Sequence, residues 1–560
     1  MKEKIMTPTQ IWGNYDPNKQ PLEPTILKIV EDNNTVTKYL SFTAESTLDG
    51  KVIAIATLMY KKNAKSKMPA VLICSSDAKE HQIGQLTSLI DAGFIVATFD
   101  YAGKEQGKEF FTKYPPSLAF CNVNASAAPS ELQENNDASI YHWTIIARRT
   151  ISILCQEPLC DSNNIGIIGI LTATDIMWQV AATDNRIKTC IPILNFGWQQ
   201  ESNLLARNIE ENSLSYNDYI SKIGFAVESY IGLVKCDTLF VGATHSMLTS
   251  IDKIEDTINR LPKTITKTTC ITVGNDSHLG NASLPTIIYW LKTILMRSKG
   301  VFPTEPLLNI TVNKKQEIEF NITYDKSQKI DNIQLFISDG EQNPILRNWH
   351  SSQVPMDESN TASFKYIPTD NATDIFAFVN VNYKNGFTVS SNFKTFNTLT
   401  NTNIKKIPLV PSRIIFDSNS SIESFLPQSK KLFSIKEDVV KKYGPYNIYG
   451  ASTDQPILTT YIIGDSLYRG QKNYLLHIDF YSPVDKTVKI SLQYMDLETN
   501  TILQYVTDIN IKDTGEWQSC LFSKEDFKED ANKTLPDWEN VKAITFTNIE
   551  NVIINNILWV

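Results

Sequence analysis

The chain has no run of the roughly 18 or more consecutive apolar residues that a membrane-spanning helix requires, so no segment is expected to cross a bilayer. It also lacks a basic excess. Fifty-three lysines and arginines stand against 61 aspartates and glutamates, giving a net charge of -8, which argues against a nucleic-acid or anionic-membrane partner needing a positive face. The opening residues, MKEKIMTPTQIWG, have two lysines but no apolar stretch behind them. No signal peptide is expected, which assigns the chain to the cytoplasm, or to the exterior if a leader has been removed. The eight cysteines form no CxxC pair and no cluster with histidine, which leaves zinc without ligands. Cys74, Cys190 and Cys270 lie inside apolar runs, where a thiol packs as a small hydrophobe, so reduced structural thiols are expected, with no metal or other cofactor. The stretch GKEQGKEFFTK (103–113) lacks the spacing of a phosphate loop. There is no internal repeat, and no oligomeric state follows from the sequence.

What is present is length and a change of texture. A chain of 560 residues is too long for one core. From about residue 50 to 295, β-branched runs such as PAVLIC (69–74), FIVATFD (94–100), IGIIGI (165–170), TCIPIL (189–194) and TTCITVG (268–274) alternate with helical patterns at 139–156 and 250–262. That alternation predicts a mostly parallel sheet with helices on both faces. Beyond KGVFPTEPLL the helices stop. Residues 303–400 read as short alternating strands of an Ig-like sandwich, and after a polar linker (400–413) the strands NYLLHIDFYSP, TVKISLQYMD, ILQYVTDINI, AITFTN and VIINNILWV predict a jelly roll. The expected division is 1–298 as an α/β domain, 299–400 as an Ig-like β-sandwich and 401–560 as a jelly-roll β-sandwich.

The most informative stretch is IGIIGILTATDIMWQVAATDNRIKTCIPILNFGW (165–198). A strand runs into a turn and then into a helix ending AATDNRIK, with Asp184, Arg186, Lys188 and Pro192 at positions that match a bacterial pattern without a gap. The segment resembles the α/β-hydrolase superfamily, in particular its acetylxylan-esterase-like and dienelactone-hydrolase-like bacterial proteins. The resemblance covers roughly residues 8–295 and implies an α/β-hydrolase fold. The family's G-x-S-x-G elbow corresponds here to Gly169, Ile170, Leu171, Thr172 and Ala173, followed by Thr174. Leu171 therefore stands where the resemblance places the nucleophilic serine, and a leucine has no lone pair with which to form an acyl-enzyme.

The other parts implied by the resemblance are altered as well. The triad order is serine, acid, histidine. Ser246, in VGATHSM, falls at the acid position, and Asp252 reads as a cap or surface carboxylate. His278, in ITVGNDSHLGN, falls at the histidine position, without the acid that would orient it. The oxyanion loop, usually a His-Gly-Gly-like turn, is Cys74, Ser75, Ser76 and Asp77, and an aspartate there would oppose developing negative charge. The oxyanion-loop positions are thus Ser75, Ser76 and Thr172. A relocated nucleophile would have to be Thr172, expected to point into the helix packing, or Cys74, expected to pack at a buried strand end. The expected function is a pseudo-esterase binding a partner, or a carbohydrate or ester-like ligand. The alternatives are an acetyl-ester hydrolase with a relocated nucleophile and a structural or assembly protein.

The last segment resembles galactose-binding-like jelly rolls in its GEWQSCLFSKEDF turn and its closing strand pair. That resemblance makes Trp517, Trp538, Tyr443, Tyr446 and Tyr449 candidates to stack on sugar rings, whereas Trp559 reads as core. Trp349 and His350 read as loop residues packed on their own sandwich, the alternative being that they line an interface with the α/β domain.

Overall fold

A computed structural model describes residues 6–75, 87–105, 107–123, 139–198, 224–296, 300–356, 359–401, 403–429, 431–433, 438–499, 501–529 and 533–560. The chain falls into two compact units. Unit 1 comprises Met1–Gly242, Lys253–Thr269 and Pro285–Phe302; unit 2 comprises Ala243–Asp252, Cys270–Leu284 and Pro303–Val560.

Unit 1 is built on β1 (Thr25–Glu31), β2 (Thr35–Thr47), β3 (Gly50–Lys61), β4 (Met68–Ser75), β5 (Ile95–Asp100), β6 (Cys160–Ile170), β7 (Ile187–Ile193), β8 (Asp237–His245) and β9 (Lys267–Asn275), in the order β1-β2-β3-β5-β4-β6-β7-β8-β9. The last residues of β8 and β9 belong to unit 2. The pairs β1–β2, β2–β3 and β3–β5 are antiparallel, and β5–β4, β4–β6, β6–β7 and β7–β8 are parallel. The parallel strands are buried along most of their length, as strands covered on both faces must be. The sheet is mixed: the expected parallel pairing holds for β5, β4, β6, β7 and β8, and the expected start near residue 50 is corrected by the addition of the antiparallel β1 and β2. All seven residues of β1 are exposed, so it carries no buried face for hydrophobic alternation to reveal.

The helix Ser139–Gln156 ties the frame together. Arg149, 2% exposed, donates four hydrogen bonds to the carbonyls of Pro17, Gln20, Pro21 and Thr43, fixing the N-terminal segment. The Asp184/Arg186 motif has a structural role. Arg186 donates to Asp184 through Nε at 2.8 Å and Nη2 at 2.6 Å, and it reaches Ser152 Oγ and the Arg148 carbonyl on the long helix. Burial opposes ionisation of Asp184, but the Arg186 hydrogen bonds and charge win, so its carboxyl is held below the usual range.

In unit 2, residues 303–400 form two sheets. One pairs Leu307–Val312, Ile318–Thr323 and Thr361–Tyr366; the other is centred on Ile330–Asp339 and Asp374–Tyr383. Ile318, Phe320 and Ile322 bury one face of their strand in strict alternation. Trp349 packs on Phe378 and Phe393 of its own sandwich. Residues 414–559 form a six-stranded and a five-stranded sheet. Ile478, Phe480, Ile554 and Trp559 of the first meet Ile490, Leu492, Ile544 and Phe546 of the second in one core.

Arg347 ties the segment after β8 to these sandwiches. It is 1% exposed. Its Nη1 and Nη2 donate to Asp252 Oδ1 at 2.6 Å and Oδ2 at 2.8 Å, while Nε and Nη2 also reach the carbonyls of Glu341 and Gln342. The guanidinium lies 3.6 Å from the ring centroid of Phe376. Asp252 is therefore the partner of a buried cation, which overturns its expected role as a cap or surface carboxylate. Removing it would leave that cation uncompensated. Asp252→Ala is expected to lower stability by about 3 kcal/mol, seen as a fall in the urea midpoint of the unit 2 transition. An unchanged midpoint would refute this account of the pair.

Candidate functional site

The strand-to-helix turn at the end of β6 is built around two residues. Gly169 is required by contact: a Cβ there would lie 2.6 Å from Thr174 Cα and 2.8 Å from Met177 Cβ, so the helix Thr174–Thr183 packs directly on the strand. Leu171 follows with φ +54°, in the left-handed region that a bulky side chain rarely adopts, at a cost of order 1–3 kcal/mol. Thr174 Oγ1 donates to the Leu171 carbonyl at 2.7 Å and holds the turn. Ala173 and Thr174 are fully buried. Thr172 is exposed, so the expectation that it points into the helix packing is corrected: the 3-10 turn Leu171–Ala173 presents it to solvent.

A second strained leucine stands on the neighbouring strand. Leu194, directly after β7, has φ +67° and is fully buried, with its N–H on the Val241 carbonyl at 3.0 Å. Asn195 then donates to Asp175 Oδ1 at 3.1 Å. Burial pushes the Asp175 carboxyl up to about 7, helped by the nearby charge of Glu228 and opposed by Asn195. The carboxyl ends of β6 and β7 thus carry two left-handed leucines and a carboxylic acid poised to exchange a proton near neutrality, at the end of a parallel sheet where ligands bind as a rule. Sequence reasoning missed this group. Its one signal was Asp175, the single charge in the helix TDIMWQVAAT.

Ser246 and His278 lie in unit 2 and Leu171 in unit 1. Ser246 is 1% exposed. Its hydroxyl accepts the Leu248 N–H at 3.3 Å and hydrogen-bonds Asp276, whose carboxylate also accepts the Met247 N–H at 2.8 Å. Asp276 is raised by burial against those hydrogen bonds. His278 Nδ1 lies 3.0 Å from Asp438 Oδ2, so a carboxylate does face the imidazole, which corrects the expectation that His278 stands without an acid to orient it. Burial lowers the pKa of His278, with Asp438 acting in the other direction. The loop carrying His278 is also stitched to the C-terminal sandwich by the Leu279 N–H on the Leu432 carbonyl at 2.7 Å and Asn275 on the Pro427 carbonyl at 3.1 Å.

The residue beside Ser246 is likewise committed to packing. His245 Nε2 lies 2.9 Å from the Arg347 carbonyl, and Nδ1 lies 2.8 Å from Thr244 Oγ1, which accepts the Gly274 N–H. A carbonyl only accepts, so Nε2 carries the proton and Nδ1 accepts from the threonine. The ring stacks at 4.2 Å on Tyr461, and burial holds its pKa down at about 4.

Of the remaining expected positions, Ser75 is half-buried at the end of β4, and Ser76 and Asp77 lie outside the described residues. Cys74 is fully buried and burial pushes its thiol pKa well above the ordinary range. None of the eight cysteines is in a disulfide. Among the described residues no group of three histidine, cysteine or carboxylate side chains gathers to hold a metal, and no helix is long and apolar enough to cross a membrane. His350, also singled out in the sequence, pairs with Asp465 at 2.8 Å. Burial opposes its charge, but that carboxylate raises its pKa.

No protein-family model and no curated protein matches the chain. Among solved structures it is similar to acetyl xylan esterase 1 from Thermoanaerobacterium sp. (13% identity, 50% of this chain and 91% of that one, TM-score 0.36). It is also similar to an acetyl xylan esterase from Paenibacillus sp. R4 (14%, 50% and 91%, TM-score 0.40) and to a glucuronoyl esterase from Solibacter usitatus (13%, 47% and 84%, TM-score 0.33).

Asp175 allows a direct check on the site. Its folded-state pKa lies above the ordinary 3.8, so ionising it opposes folding, and the wild type loses stability as pH rises from about 4 through 7. Asp175→Asn removes that loss. Urea unfolding is expected to show the variant more stable than wild type at pH 8 by on the order of 1–3 kcal/mol, with the gap narrowing as pH falls and closing only below about pH 4. A gap independent of pH would contradict the assignment.

Proposed function

We propose that the chain is a non-catalytic relative of the α/β-hydrolase esterases, a pseudo-esterase that binds a carbohydrate or ester-like ligand at the carboxyl ends of β6 and β7. The observation that carries this reading is Leu171 at φ +54°. The strained turn that would expose a nucleophile is retained at a cost in stability, while the side chain on it has no nucleophilic atom. A turn kept only as a fold element would be relaxed by an ordinary backbone conformation or by glycine.

The family's other positions support the same reading. In this proposal Ser246 stands at the acid position and is spent on Asp276, while His278 stands at the histidine position and faces Asp438. Asp175 and Asn195 supply polar groups that fix a ligand's orientation. One observation favours a second reading, an ester hydrolase with a relocated nucleophile: Thr172 is exposed on the turn itself. Cys74 gives that reading no support, being buried and un-ionised.

The two readings separate in a hydrolysis assay. Under the pseudo-esterase reading, p-nitrophenyl acetate is cleaved no faster than by denatured protein, and Thr172→Ala and His278→Ala leave the rate unchanged. Enzymatic turnover abolished by Thr172→Ala would establish the second reading and overturn the first.

A further inference from the structure

Large side chains outside the cores cluster on the C-terminal sandwich and on β1. On the sandwich they are Tyr443, Tyr446 and Tyr449, whereas Trp538 and Trp559 are 0% and 1% exposed and belong to the core, which overturns Trp538 as a sugar-stacking candidate. On β1, the strand TILKIVE, Ile26, Leu27, Ile29 and Val30 are 56%, 39%, 49% and 43% exposed. β1 ends the order of its sheet. β2 pairs with one side of it and, among the described residues, no strand pairs with the other. Such an edge offers a row of unpaired N–H and C=O groups, which soluble proteins ordinarily shorten, cover or interrupt with proline. β1 is seven residues long and contains no proline.

The hairpin that joins β1 to β2 fixes which backbone groups point outward. The Asp32 N–H donates to the Thr35 carbonyl at 3.1 Å, so Asp32 faces β2. Peptide groups alternate along an antiparallel ladder. Val30 and Lys28, in register with Thr37 and Tyr39, therefore also face β2, while Ile29 and Glu31 turn their N–H and C=O groups to the open side. A register shift between Ile26 and Lys28 ends this regular stretch.

We propose that this edge is a self-association surface, on which a second copy of the chain lays its own β1 antiparallel about a two-fold axis at Val30. Ile29 and Glu31 of each copy then meet as hydrogen-bonded pairs on either side of the axis. Lys28, Val30 and Asp32 share one face of the strand, and in this register Val30 faces its own equivalent while Lys28 stands opposite Asp32 at both ends. The segment Lys28-Ile29-Val30-Glu31-Asp32 is thus its own charge complement when reversed, a match that a strand of unrelated sequence would not carry. Moving the axis to Ile29 sets Lys28 against Val30 and brings the irregular Leu27 against Glu31, so no charge is matched. Both charges can take up the contact. Lys28 Nζ lies 2.9 Å from Glu109, but that pair is exposed on both sides and an ammonium has further donors. Asp32 accepts the Asn34 and Thr35 N–H groups through Oδ1, which leaves Oδ2 to accept from the lysine. The inference is independent of the turn at Leu171.

The test is sedimentation velocity of the full chain over a concentration series. Pairing over Lys28–Asp32 is short of a permanent interface, so a dimer that dissociates on dilution is expected, with nothing larger because a two-fold contact closes on itself. Ile29→Pro removes an N–H that points away from β2, where an edge strand tolerates proline. It should raise the dissociation constant about tenfold or more with an unchanged melting temperature. Lys28→Glu should also weaken the dimer, and adding Asp32→Asn, which keeps the turn's acceptor oxygen and removes the like charge, should recover part of the loss. Val30→Cys reads the register independently. Residues opposite each other in a non-hydrogen-bonded pair stand at disulfide distance, so mild oxidation should link two copies through the substituted position, whereas Ile26→Cys should not cross-link. A monomer at every concentration up to about 0.1 mM would overturn the proposal. So would a dimer indifferent to Ile29→Pro, cross-linking through Ile26→Cys in place of Val30→Cys, or open growth into larger assemblies.

Discussion

The buried guanidinium of Arg347 is the constraint on which unit 2 turns. A cation removed from water must be compensated by charge and by acceptors on every donor. Here Asp252 supplies the charge, the Glu341 and Gln342 carbonyls accept further donors, and Phe376 covers the face. The carbonyl of the same residue accepts from His245. One side chain and one carbonyl thereby fix the segment from Ala243 to Asp252 to the strands that follow Pro303. Cys270–Leu284 is joined to the same β-rich part by separate bonds, from the Ile271 N–H to Ser390 Oγ, from Asn275 to the Pro427 carbonyl and from the Leu279 N–H to the Leu432 carbonyl.

Under the proposed reading, those two segments serve the packing of unit 2. The proposed acid and histidine positions fall within them. Ser246 and Asp276 bind one segment to the other, His245 is held neutral beneath Tyr461, and His278 is matched by Asp438 from the C-terminal sandwich. Ser246 and His245 serve packing in this way, whereas His278 keeps a carboxylate at its Nδ1, the arrangement that orients an imidazole. Unit 1 meanwhile keeps its strain at the carboxyl ends of two parallel strands, at Leu171 and Leu194, with the Asp175 carboxyl between the two elements. Loss of a nucleophile and retention of a strained, polar-lined strand end are what a change from turnover to binding would leave behind.

Much of the frame was legible because it is written in local pattern. β4, β5, β6, β7 and β9 follow from buried β-branched runs, the long helix from its periodicity, and the turn at Leu171 from a strand meeting a helix across Gly169. β1 was not legible because an all-exposed edge strand has no apolar face. The partners of the site residues were illegible for a different reason. Arg347 with Asp252, His278 with Asp438 and His350 with Asp465 join residues 95 to 160 positions apart, and a lone charge in sequence carries no mark of its partner. Thr172 is exposed where the sequence predicts helix packing, because it sits in a 3-10 turn ahead of the helix. Asp175 was passed over because an aspartate in a first helical turn is ordinarily a dipole partner in solvent; only burial beside Asn195 and Glu228 gives it a proton to exchange.

The central claim is that the turn at Leu171 survives without the chemistry it would once have served. Intact-protein mass spectrometry after exposure to a fluorophosphonate tests it most directly, because an activated hydroxyl anywhere in the chain would be phosphonylated and gain the reagent's mass. The account predicts a spectrum unchanged from untreated protein, even at long incubation. Stoichiometric mass gain mapped to any serine or threonine, Thr172 above all, would contradict it.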